Sequence, residues 1–73
     1  MRTYFVSHYR LEIDGGSFKH RCLAQFEVVA RSKQQATNKI RELVHPLADI
    51  EYLTTSSEAP TSGLIEVVAR VAA

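Results

Sequence analysis

From Thr3 to Ile13 the apolar side chains favour odd positions, namely Phe5, Tyr9, Leu11 and Ile13. After Ser17 they favour even ones: Phe18, Cys22, Ala24, Phe26 and Val28. A period of two marks strands buried on one face. Between the runs stands Gly15-Gly16, and glycine enters the positive-φ region that both central residues of a two-residue hairpin turn occupy. Such a turn pairs Ile13 with Phe18, Tyr9 with Cys22 and Phe5 with Phe26, so the odd face of the first strand meets the even face of the second. Pattern and turn agree on one register.

Ser32 reads as a helix N-cap, with Gln35 three residues on to complete a capping box. Ala36, Ile40, Leu43 and Val44 follow at the spacing of one helical face. Pro46 disfavours helical geometry at His45, which ends the helix at Val44 or His45. Two further alternating runs, Ala48 to Thr55 and Leu64 to Val71, read as strands joined by a longer hairpin loop around Pro60 and Gly63. The order is ββαββ. The chain is expected to form a single small α+β domain over residues 1–73, a four-stranded, mainly antiparallel sheet with one helix packed on one face.

One helix shields one face. The face it covers is expected to hold Phe5, Tyr9, Leu11, Ile13, Phe18, Cys22, Phe26, Val28, Ile50, Tyr52, Ile65, Val67 and Val71. The other carries Tyr4, Val6, Leu23, Val29, Leu53, Leu64 and Val68 among polar residues. Apolar side chains gathered on an uncovered face mark an interaction site. The expected contacts are Tyr4, Val6, Leu23, Leu53 and Val68, with His8, Arg10, Lys19 and Arg21 beside them. In this register Arg10 lies opposite Arg21, a like-charge pair that calls for a counter-charge. Either Arg10, Arg21 and Lys19 await a carboxylate or phosphate of a partner, or the long arginines splay apart into water or meet an acidic side chain of the second hairpin. Glu12 opposite Lys19 is an ordinary cross-strand pair.

The chain has 73 residues, a net charge of +1 and 45% apolar residues. At this length a chain buries only about 60% of the surface it exposes when unfolded, so it folds alone with little margin. No apolar run approaches the roughly 18 residues that cross a bilayer, and no signal-peptide pattern opens the chain. A single cysteine, Cys22, excludes an internal disulfide framework and suits a reducing compartment. A cytoplasmic domain without membrane association is the expectation.

Candidate chemistry adds little. His20 and Cys22 project to one side of a strand, but a structural zinc site takes four ligands, and His8 and His45 fall elsewhere. No nucleophile has a histidine base beside it, and the glycines form a turn instead of a phosphate-cradling loop. Neither catalysis nor a cofactor is expected. Nucleic-acid binding is the alternative to protein binding: Tyr4, His8, Arg10, Lys19 and Arg21 are the residues that would stack on bases and contact phosphates. A net charge of +1 argues against it, because such domains carry a strongly basic footprint. In length and ββαββ order the chain resembles several small phage-encoded inhibitor proteins, including some anti-CRISPR proteins. That resemblance implies a non-catalytic inhibitor or adaptor, and it carries over no functional positions. Protein binding through the helix-free sheet face, with a second copy as one candidate partner, is the reading taken forward.

Overall fold

The computed structural model describes residues 1–59 and 69–73. Its elements are β1 (Arg2–Asp14), β2 (Ser17–Ala30), α1 (Lys33–Val44), β3 (Glu51–Ser56) and β4 (Ala69–Ala72). They form the expected α+β arrangement in the order ββαββ, with one four-stranded sheet ordered β3-β1-β2-β4. β1 pairs antiparallel with both β2 and β3, whereas β4 runs parallel to β2. The second expected hairpin is therefore corrected: β3 and β4 lie at opposite edges of the sheet. Leu64, Ile65, Val67 and Val68 lie outside the described residues.

The β1–β2 turn forms as its glycines require, with φ of 57° at Gly15 and 83° at Gly16. Ile13 faces Phe18, Tyr9 faces Cys22 and Arg10 faces Arg21. Beyond Tyr9 the register shifts by one: His8 faces Ala24, so Leu23 is the extra residue of a β-bulge. Phe26 consequently faces Val6, and Phe5 faces Glu27. A bulge inserts one unpaired residue and exchanges the faces of everything that follows. From Ala24 onward, even positions of β2 share a face with even positions of β1.

The helix begins where its cap predicts. The Gln35 amide donates to Ser32 Oγ at 3.1 Å, and Gln35 Oε1 accepts from the Arg31 amide at 2.6 Å. It ends at His45, whose amide makes the last helical bond to the Arg41 carbonyl and whose left-handed φ of 48° turns the chain out of the helix. Ala36 and Ile40 are buried, and Val44 packs beside them, while Leu43 of the same stripe is exposed.

The core lies between α1 and the even face. Val6, Val28, Ala30, Ala36 and Ile40 are fully buried and Tyr4 nearly so, with Phe26, Val44, Leu53 and Val71 packed around them. A hydrogen bond between Thr37 Oγ1 and Thr55 Oγ1 fastens the helix to β3. The expected faces are thus reversed. Tyr4 and Val6 belong to the core, and Phe5, Tyr9, Leu11, Ile13, Phe18, Cys22 and Tyr52 occupy the side that α1 leaves bare. Of the residues expected under the helix, Phe26, Val28 and Val71 do lie there, whereas Ile50 is 44% exposed.

Chain chirality accounts for the reversal. In a two-residue hairpin the even residues of β1 direct their amides and carbonyls toward β2, and the odd ones toward β3. Accordingly the Leu11 amide donates to the Ile50 carbonyl at 2.7 Å, just before β3. β2 and β3 are parallel strands flanking β1, and a crossover between parallel strands of one sheet is right-handed in nearly all cases. For L-residues in this arrangement, that hand carries α1 over the even side of β1.

Candidate functional site

The face opposite α1 gathers its exposed apolar side chains toward the turn, whereas Ser7 and Gln25 further along it are buried. β3 pairs with β1 only as far as Arg10 opposite Glu51, and β4 pairs with β2 only from Phe26 to Val29. Among the described residues, the last rungs from Leu11 to His20 therefore form a ribbon of two strands. A helix of 12 residues is about 18 Å long, whereas the 13 residues of β1 extend about 43 Å, so α1 cannot reach the tip. Ile13 is 73% and Phe18 66% exposed although they face each other across the ladder.

Next to that tip lies an aromatic cluster. Tyr9 and Tyr52 are cross-strand partners with stacked rings, centroids 5.4 Å apart and 15° between planes. The Tyr52 hydroxyl reaches over β1 to hydrogen-bond His20 Nδ1 at 2.7 Å, with the two rings edge to face. Further from the turn, Gln25 Nε2 donates to Ser7 Oγ at 3.2 Å, and Gln25 Oε1 is buried without a partner among the described residues. The Cys22 thiol, beside Tyr9 in the ladder, donates to the Ala24 carbonyl at 3.6 Å.

In the turn half of the ladder charge is sorted to the other side. Arg10, Glu12, Lys19 and Arg21 alternate onto the helix face, and each has a counter-charge there. Lys19 Nζ lies 2.8 Å from Asp14, and Arg21 Nη1 3.5 Å from Glu12. Arg10 donates through Nε and Nη2 to Glu51 Oε2, at 3.2 and 2.7 Å. His8 Nε2 donates to Glu51 Oε1 at 2.7 Å, and the Leu47 amide adds a longer bond to the same oxygen. The Glu51 side chain is 5% exposed. The Arg10 guanidinium, followed by His8 and the Leu47 amide, outweighs the cost of enclosure and holds the carboxyl below its ordinary value of 4.5. The like-charge pair Arg10–Arg21 is thus resolved by an acidic residue of the second half, as one of the two sequence readings allowed.

The expected contacts are dispersed. Tyr4 and Val6 are core, His8 is buried against Glu51, and Leu53 packs on the helix side. Arg10, Lys19 and Arg21 sit on the helix face of the ribbon, Leu23 is the partly exposed bulge residue, and Val68 lies outside the described residues. Tyr9, Leu11, Ile13, Phe18 and Tyr52 are residues that sequence reasoning assigned to the helix side, and His20 was not among the expected contacts. The handedness of the crossover would have exposed them, had the β3-β1-β2 order been known. Among the described residues no helix is long and apolar enough to cross a membrane. No family model matches the chain, and neither the curated proteins nor the solved structures provide a match.

Proposed function

We propose that this chain is a non-catalytic protein-binding module, an inhibitor or adaptor, that works through the turn half of its helix-free sheet face. The observation that carries this reading is the separation of charge from aromatic surface. Among the described residues, Tyr9, Leu11, Ile13, Phe18, His20 and Tyr52 form a patch without aspartate, glutamate, lysine or arginine, while Arg10, Glu12, Lys19 and Arg21 of the same strands lie behind it, each beside an opposite charge. Aromatic enrichment with depletion of charge is the composition of an interface core. The single free thiol, Cys22, suits a cytoplasmic setting.

The stacked Tyr9–Tyr52 pair also fits a base-stacking platform, which keeps nucleic-acid binding as a second reading. Single-strand binders, however, place cations along the groove beside their aromatic rings, and here the basic residues of the first hairpin face the other way with carboxylates beside them. Chemical cross-linking in source-cell lysate separates the two. The protein-binding reading predicts cross-linked protein species that resist nuclease, vanish in I13K/F18K and persist in R10A/R21A. Species that nuclease removes, or that follow the arginines, would overturn it.

A further inference from the structure

The reading above leaves the partner open, and the following rests on it: we infer that the occupant of the patch is a second copy of this chain, docked sheet against sheet around a two-fold axis that passes near Leu11. Three observations converge on this partner.

The first is charge. A surface that meets itself across a two-fold axis places like beside like, so a charged face opposes its own dimerisation. From Tyr9 to the turn the described residues place no aspartate, glutamate, lysine or arginine on this face. The charged pair it does hold, Arg70 with Glu27 at 2.6 Å, is at the opposite end of the ladder.

The second is the size of the core. Among the described residues the largest fully buried side chains beneath α1 are Ile40, Val6 and Val28, and two of the six described core residues are alanine. Below about 70–80 residues a single core supplies little margin, and an oligomeric partner is one of the ways in which small domains add to it. Here Cys22 is a free thiol. A second copy is a partner present in stoichiometric amount wherever the chain is made, and it brings an identical apolar layer. Stacked sheets about 10 Å apart would then form a helix–sheet–sheet–helix sandwich.

The third is the ribbon itself. Two strands without a packed face are marginally stable in water, yet pairing continues to Asp14 opposite Ser17. Four residues separate Ile13 from Tyr9, about 13 Å along a strand. With the axis near Leu11, the Ile13–Phe18 tip of one copy lies over the Tyr9–Tyr52 stack of the other, and the reverse. The open side chains that a second copy would cover are Ile13, Phe18 and Tyr52, at 73%, 66% and 37% exposure.

Sedimentation equilibrium of the full chain from 1 µM to 1 mM, at low and high salt, tests the inference. The mass should rise to twice the 8.2 kDa of one chain, with a dissociation constant that salt does not weaken. Each of Ile13→Lys and Phe18→Lys should raise that constant about tenfold or more while far-UV dichroism stays unchanged. I13S/F18S serves if the lysine variants lose structure. A single-chain mass at 1 mM overturns the second copy, as does a dimer that both pairs of substitutions leave intact. Hydroxyl-radical footprinting of the monomer then decides the underlying reading. Oxidation of Phe18 and Tyr52 at the rate of open side chains leaves a heterologous partner for the same patch, and protection of both removes the patch altogether.

Discussion

Deleting Leu23 removes a residue from the middle of a 14-residue strand and should nevertheless leave the fold in place. Cys22 already faces Tyr9 and Ala24 already faces His8, so the deletion converts a bulged ladder to a regular one with every other pair retained. The cost is the covered part of one side chain. Leu23 is 38% exposed, and full burial of a leucine contributes roughly 1.5–3 kcal/mol, which gives about 1–2 kcal/mol here. Leu23→Ala forfeits much the same surface. Urea unfolding at one fixed protein concentration, followed by far-UV dichroism, should place the two variants within about 1 kcal/mol of each other, or about 1 M in midpoint for a chain of this size. Deleting Ser7 is the opposing case. β1 has no spare residue, so Val6 and Tyr4 would swing from under α1, and their lost burial, at about 1.5–3 kcal/mol each, should unfold the chain. A Leu23 deletion that loses about 4 kcal/mol or more beside a folded Leu23→Ala, or a Ser7 deletion that is tolerated, would refute the bulge as the device that assigns residues to faces.

Two further perturbations probe the helix face. Ile40→Ala opens a cavity between α1 and Val6 and should cost about 2–4 kcal/mol, measured by the same urea titration; a change below about 0.5 kcal/mol would mean that α1 packs elsewhere. The Glu51 carboxyl is depressed below 4.5 by Arg10 foremost, so its share of stability is present above that value and disappears as pH falls through the lowered one. The thermal midpoint should accordingly drop more steeply below pH 4.5 in the wild type than in Glu51→Gln, and parallel profiles would contradict the Arg10–Glu51–His8 assignment.

Local chemistry was legible in the residues themselves. Gly15-Gly16 specified the turn and with it the pairs Ile13–Phe18 and Arg10–Arg21, Ser32 and Gln35 specified the start of α1, and Pro46 its end. What the alternation could not convey is non-local. Phe5, Tyr9, Leu11 and Ile13 form the stronger apolar stripe of β1, and burial was assigned to it on that ground. Yet a 12-residue helix covers only part of a long ribbon, and crossover handedness decides which side it takes. Leu23 gives no warning of a bulge, being neither glycine nor a turn former, so nothing in the pattern showed that Phe26 and Val28 change partners. β4 was expected to close a hairpin with β3 because neighbours in sequence usually pair; its parallel place beside β2, at the opposite edge, is a non-local choice between two open edges that alternation does not encode.

The central claim is that the surface opposite α1 is where this protein meets another copy of itself. An isotope-filtered nuclear Overhauser experiment on an equal mixture of ¹³C-labelled and unlabelled chains addresses it directly. The account predicts intermolecular contacts from the Ile13 methyls and the Phe18 ring to the rings of Tyr9 and Tyr52. Intermolecular contacts that instead involve α1, or none at all at millimolar concentration, would contradict it.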